Sequence, residues 1–268
     1  MADRSFIKGL QAIGAAFQLL TRIPVPVQIP FTPSVLARSV AAYPLVGLAV
    51  GLLTAGAGWL LQGRLPSMPA AVIVLLTWIA LSGALHLDGL MDTADGVLSH
   101  RSRERMLEIM KDSRVGAMGV IAAVIVLLLK FSLLAELLED DALASAAPHL
   151  AAACMWSRLW MAVSMTLWPN ARGKEGLGGM FAGVAIRHIA AAGLAHVILL
   201  FGVYTAFGCS LAEAGGYVVV GAGLTLVAGG LSGWWLSRKL GGLTGDTYGA
   251  MNELLETTLL LAACAILV

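Results

Sequence analysis

The sequence predicts an all-α fold: a polytopic integral membrane helical bundle with about seven transmembrane helices, an N-terminal interfacial helix and a cytoplasmic surface helix. Three observations carry this. The 268 residues are 59% hydrophobic and only 12% charged, where a soluble domain carries about 25% charged residues. Mean hydropathy is +0.86. Apolar runs close to the roughly 20 residues that cross a bilayer recur along the whole chain.

In chain order, residues 5–20 carry Phe6, Leu10, Ile13, Phe17 and Leu20 at helical period, which predicts a helix at the membrane surface. Thr21-Arg22-Ile23-Pro24-Val25-Pro26 breaks it, and Pro30 and Pro33 predict irregular chain. Arg22 reads either as an interfacial anchor or as a phosphate contact. Apolar segments follow near 41–61, 69–87, 115–137, 143–168, 186–208, 215–236 and 250–268. Pro44, Gly47 and Gly83 mark packing or kink positions. The 31 glycines suit close helix approach in lipid. Cys154, Cys209 and Cys264 lack zinc or disulfide spacing and read as small core residues. Met1 to Leu10 lacks the apolar core of a signal peptide. A net charge of +1 gives no argument for nucleic acid.

Charge sets the predicted orientation. With the N-terminus inside, every Lys and Arg falls on the cytoplasmic side except Arg64 outside and Lys130 and Arg158 within spans. The outer loop holding Glu136, Glu139, Asp140 and Asp141 is acidic. This is a positive-inside pattern. It places the polar stretches at 88–114, 169–183 and 238–256 on the cytoplasmic face.

The chemistry concentrates in those stretches. In His86-Leu87-Asp88-Gly89-Leu90-Met91-Asp92-Thr93-Ala94-Asp95-Gly96, a helix sets Asp92 about 40° and Asp95 about 20° from Asp88, so the three share one face. Three acids at the foot of a membrane helix need a counter-charge. A divalent cation with oxygen ligands, Mg²⁺ first, is the simplest. His86 points about 160° away from Asp88 and reads as a neighbour rather than a ligand. In 241–256, Asp246 and Glu253 form a second acidic stripe, with Asn252 and Glu256 beside it and Thr244 placed to cap the helix. The predicted metal set is therefore Asp88, Asp92, Asp95, Asp246 and Glu253.

Basic residues near these acids suit phosphate. Arg101–Met110 predicts an amphipathic helix lying on the membrane. Lys111, Asp112 and Arg114, followed by Gly116, predict an anion contact. Arg172, Lys174, Gly176 and Gly178 form a basic glycine-rich loop. Lys130 reads as snorkelling or paired with Glu136 or another acid. Arg158 reads as a buried phosphate ligand or an acid partner.

Taken together, LTRIPVP (20–26), YPLVG (43–47), HLDGLMDTADG (86–96), MLEIMKDSRVGAMGV (106–120), LLLK (127–130), ARGKEGLG (171–178) and GGLTGDTYGAMNELLE (241–256) resemble the cobalamin synthase family, the adenosylcobinamide-GDP ribazoletransferases. The stretches span nearly the whole chain, in the family's order. ARGKEG departs from the family's usual Ala-Arg-Pro-Glu-Gly-like loop at Lys174. The resemblance implies one transferase domain over 1–268 in the inner membrane, with its active site facing the cytoplasm. It implies Mg²⁺ as cofactor and conversion of adenosylcobinamide-GDP and α-ribazole, or its 5′-phosphate, to adenosylcobalamin, or its phosphate, and GMP. Partners would be these substrates and the lipid bilayer, not nucleic acid. A homo-oligomer and contacts with other enzymes of the pathway are both compatible with it. On this basis GMP is the leaving group, the ribazole 5′-oxygen the attacking group, Asp92 or Asp246 the proton acceptor, and Lys111, Arg114 and Arg172 phosphate contacts.

Two other readings are weaker. A CDP-alcohol phosphotransferase would need Ala-Arg after Asp92-Thr93-Ala94-Asp95-Gly96, and it is missing. A cation or corrinoid transporter would place its acids near mid-membrane, whereas these gather at one face.

Overall fold

The computed structural model describes residues 2–139, 143–173 and 176–267; the side chains of 2–5, 143 and 177 lie outside the description. Asp140, Asp141 and Lys174 are therefore outside the described residues. Among the described residues there is no β-strand, and a single bridge joins Asn170 to Leu243.

Helix α1 (Ala2–Leu20) leaves Phe6, Ile7 and Leu10 exposed and buries Ala15, Ala16 and Leu20. That two-sidedness is what an interfacial helix requires. After the proline-rich stretch, α2 (Pro33–Ser39) begins at Pro33 itself, with the Thr32 hydroxyl accepting the Val35 N–H as N-cap. The expectation of irregular chain at Pro33 fails because the first helical turn needs no N–H from it. A short turn, Val40–Ala42, leads into α3 (Tyr43–Leu61), and Pro33–Leu61 is one apolar stretch of 29 residues.

The expected span at 69–87 is broken. Helix α4 (Ser67–Ser82) ends at Gly83, and α5 (Leu85–Val97) leaves at 87° to it. Gly83 and Ala84 both have left-handed backbone, with φ of 62° and 59°. Glycine adopts this freely and alanine does not. The Gly83 and Ala84 N–H groups donate to Ala80 and Ile79 carbonyls, closing α4. All three motif aspartates thus stand on the second, tilted arm.

Next come α6 (Arg103–Ile109), α7 (Ala117–Leu137), α8 (Leu143–Leu167), α9 (Gly176–Met180), α10 (Ile186–Ala206), α11 (Leu211–Leu224), a π-type segment at Thr225–Gly229, α12 (Gly230–Leu240) and α13 (Gly245–Leu267). Among the described residues six helices are long and apolar enough to cross a membrane, seven if α4 and α5 count as one bent span. The protein is a multi-pass helical membrane bundle. Helix α6 departs from expectation: Met106 and Met110 are buried, with Met110 lying against Gly96 of α5. Its apolar side rests on protein rather than on lipid.

Small residues set the packing. A Cβ on Gly47 or Gly51 would collide with backbone of Cys154 or Ala151, so α3 and α8 touch main chain to main chain. Gly221, Gly229 and Gly233 seat the indoles of Trp156, Trp160 and Trp168 in turn. Cys154 and Cys264 are buried, as the sequence reading expects, whereas Cys209 is only partly buried; all three thiols are free.

Candidate functional site

The site forms where α5 crosses the start of α13. A Cβ on Gly89 would lie 2.7 Å from the Asp246 carbonyl oxygen, and one on Gly249 would lie 3.0 Å from that of His86. Two glycines, one per helix, thus let the two acidic stripes approach at backbone distance. The Thr244 hydroxyl accepts the Thr247 N–H at 3.3 Å, and the Thr247 hydroxyl accepts the Thr244 N–H at 2.8 Å. This reciprocal cap fixes the first turn of α13 and bears out the capping role expected of Thr244.

The loop after α8 is zipped to that turn. Leu243 N–H donates to Pro169 O and Ala171 N–H to Leu243 O, both at 2.8 Å. Asn170 Oδ1 accepts the Arg172 N–H at 3.0 Å. The result carries Arg172 to Asp246, its Nη2 3.0 Å from Oδ2, and Thr244 Oγ1 donates to the same oxygen at 3.3 Å. The pair is partly buried, with side-chain exposures of 17% and 24%.

A cleft of about 190 Å³ opens here, lined by Asp88, Arg172, Asp246, Gly176 and Gly178, with Tyr43, Phe181 and Tyr248 as aromatic walls. Four of its lining side chains carry buried polar atoms with no partner among the described residues: Tyr43 OH, His86 Nε2, Asn170 Nδ2 and Arg172 Nε. Buried polar atoms are nearly always satisfied, so this concentration marks a place that a polar ligand or water completes. Asp88 is exposed and Asp92 half-buried, and neither is hydrogen-bonded among the described residues. Asp92 lies within electrostatic reach of Asp88, Asp246, Asp95 and Arg172.

Two expected metal ligands are engaged elsewhere. Asp95 accepts the Gly116 N–H at 2.7 Å and the Gly119 N–H at 2.8 Å, so it caps the N-terminus of α7. Glu253 lies seven residues beyond Asp246, roughly 10 Å along the helix. Its carboxylate accepts from Lys130 Nζ at 2.8 Å in the interior. Among the described residues no three His, Cys, Asp or Glu side chains gather closely enough to form a metal cage.

The buried charges form one network. Lys130 donates to Glu253 and Glu256, both at 2.8 Å, and Arg158 to Glu256 at 2.7 Å. Arg158 is fully buried, so of its two expected roles the structure gives it that of acid partner. Lys130 pairs with acids of α13, not with Glu136. His86 is buried and lies 3.2 Å from Asn252, a neighbour of the acidic helix face as expected.

None of Lys111, Asp112 and Arg114 lines the cleft. Arg114 and Asp112 pair with each other at 2.5 Å, and Arg114 remains largely exposed. The Arg114 guanidinium and N–H hold the Asp112 carboxyl down to about 2. Arg22 packs its side chain across Gly83 at the α4–α5 break, which is an anchoring position. Tyr43, Asn170 and Phe181 escaped sequence reasoning, since nothing in their local pattern signals a ligand.

The fold and the site define a polytopic membrane protein with an acidic and basic cleft at one end of its bundle, suited to a phosphorylated ligand. The chain belongs to the family described as cobalamin-5-phosphate synthase, whose model matches residues 12–264. It is 43% identical over 222 residues to the adenosylcobinamide-GDP ribazoletransferase of Desulforamulus reducens, covering 83% of this chain and 84% of that one. It is 41% identical over 262 residues to the protein of that name from Pseudomonas aeruginosa PAO1, covering 95% and 98%. The Klebsiella pneumoniae protein of the same name is 38% identical over 255 residues, covering 94% and 99%. No solved structure matches the chain.

Proposed function

We propose that this chain transfers the adenosylcobinamide phosphate group from adenosylcobinamide-GDP to α-ribazole or its 5′-phosphate, releasing GMP. The observation that carries the reading is the cleft itself. It combines, among the described residues, carboxylates without hydrogen bonds, an arginine held in place by Asp246, and four unsatisfied buried polar atoms, in a chain akin to ribazoletransferases over nearly its full length.

The attacking oxygen cannot be the 5′-oxygen expected above. The family description, cobalamin-5-phosphate synthase, implies a product that keeps its 5′-phosphate, so another ribose hydroxyl attacks. That oxygen bonds to the phosphorus linked to cobinamide, and the bond from that phosphorus to the GMP oxygen breaks. Asp246 takes the hydroxyl proton on Oδ1, since Oδ2 is committed to Arg172 and Thr244. Arg172 contacts the diphosphate through its Nε, which has no partner among the described residues, and Gly176 and Gly178 of α9 line the cleft beside it.

The unbonded carboxylates of Asp88 and Asp92 fit Mg²⁺, which takes one or two carboxylates and completes its shell with phosphates and water rather than needing a protein cage. Bound there, Mg²⁺ would neutralise charge on the diphosphate and on departing GMP. Asp95 and Glu253 are left out of this set because α7 and Lys130 occupy them. Lys111, Asp112 and Arg114 carry no part in it, and Arg158 is structural. The site faces the cytoplasm of the inner membrane in this reading, as the distribution of Lys and Arg favours.

Product identity tests the proposal. Protein in bilayer discs with Mg²⁺ and both substrates should yield GMP and cobalamin in equal amounts, stopped by EDTA. Release of GDP would place the broken bond on the other side of the cobinamide-linked phosphorus and overturn it.

A further inference from the structure

We propose that the groove between α1, the turn into α3 and α10 binds one anionic phospholipid of the surrounding bilayer. The groove holds about 800 Å³ and shares no lining residue with the cleft, so the inference stands independently of the transferase reading. Its walls are largely apolar, lined by Ile13, Leu45, Ile198 and Leu199. Its charge is all of one sign. Lys8 and Arg38 line it together with His188, and Arg187 and Arg38 both lie within electrostatic reach of that histidine.

Among the described residues no carboxylate pairs with Lys8, Arg38 or Arg187. Arg105, Arg114, Lys130, Arg158 and Arg172 each have a carboxylate partner; what sets Lys8 and Arg38 apart is that they share one apolar groove. Two cations in an apolar groove, Lys8 and Arg38, with no carboxylate partner among the described residues and Arg187 close by, therefore call for an outside anion with an apolar tail. His188 cannot supply it: its Nδ1 accepts the Ala185 N–H at the start of α10. Two of its lining residues, Ile13 and Ile198, are exposed, as are Phe6, Ile7 and Leu10 of α1, which suit the headgroup boundary, so a bilayer lipid has access.

The test is lipid competition. Wild-type protein in neutral detergent is offered phosphatidylglycerol and phosphatidylcholine with identical acyl chains, and retained lipid is read by native mass spectrometry. One phosphatidylglycerol should be kept in preference, and the preference should fall as salt rises. Lys8→Ala and Arg38→Ala should each weaken it about five-fold. Lys8→Arg with Arg38→Lys should keep it, as should Lys239→Ala. Inorganic phosphate at millimolar concentration should not displace it. Equal retention of the two lipids by wild-type protein, an unchanged preference in the double alanine variant, or displacement by phosphate, which would mark a free-anion site, overturns the proposal. Should the alanine variants fail to fold, a photoreactive phosphatidylglycerol on wild-type protein decides: crosslinks in α1 and α10 support the groove, and crosslinks elsewhere refute it.

Discussion

Glu256 is the hinge of the buried charge network, and replacing it by glutamine isolates an electrostatic effect at nearly constant volume. One of its oxygens takes Lys130 at 2.8 Å and the other Arg158 at 2.7 Å, and the residue is 1% exposed. In the wild type two cations face two acids. Glu256→Gln leaves Lys130 with Glu253 and leaves Arg158, fully buried, with no carboxylate at all. Breaking a buried pair by removing one partner costs about 3–5 kcal/mol. At roughly 2–4 °C per kcal/mol for a chain of this size, the midpoint of thermal unfolding should fall by roughly 6–20 °C. The measurement is thermal unfolding in detergent by tryptophan fluorescence, favoured by seven tryptophans. Lys130→Met combined with Glu253→Gln removes one cation and one anion and spares the Arg158–Glu256 pair, so it should cost less than Glu256→Gln. A midpoint for Glu256→Gln within experimental error of wild type would refute the network as a stabilising unit.

Other expectations follow from single contacts. Arg172→Ala removes a charged hydrogen bond to Asp246 and a phosphate contact, so kcat/KM should fall by about 10- to 100-fold, an effect of about 1.5–3 kcal/mol, with unfolding temperature little changed. Gly119→Ala would put a Cβ 2.9 Å from Met91 O and against the Asp95 carboxylate; overpacking of about 1–3 kcal/mol should show as a lower unfolding midpoint. Gly51→Val would force α3 from the Ala151 backbone and should cost more than Ala55→Val on the same helix, measured by folded yield in detergent. Asp112 is held at about 2, so its charge persists down through mildly acid pH and is lost only near pH 2. Asp112→Asn should consequently change a pH–rate profile above pH 5 by a constant factor or not at all.

The fold was legible where apolar length decides it. The spans around α3, α7, α8, α10 and α13 follow from hydropathy alone, because each must satisfy its own backbone in lipid. The α4–α5 break was legible only in part: Gly83 reads as a packing or kink position, which the bend bears out, but nothing marks Ala84 for a left-handed turn or gives the size of the bend. The position of α6 was missed for a related reason: an amphipathic face is the same whether it meets lipid or α5. In the site, helical spacing correctly put Asp88 and Asp92 together and brought Asp246 near them. It could not tell a free carboxylate from one already committed. Asp95 and Glu253 share the same stripes, yet their partners, the α7 N-terminus and Lys130, are remote in sequence. The Arg172–Asp246 pair depends likewise on the Pro169–Leu243 zipper, which leaves no periodic trace.

The most direct test of the central claim is a paired turnover measurement on protein in bilayer discs, with Mg²⁺, adenosylcobinamide-GDP and α-ribazole, for wild type and Asp88→Asn of matched thermal stability. The site described here predicts GMP release with equimolar cobalamin by wild type and a loss of at least about 100-fold in Asp88→Asn. A folded wild type that releases no GMP, or an Asp88→Asn variant that turns over as fast as wild type, would contradict it.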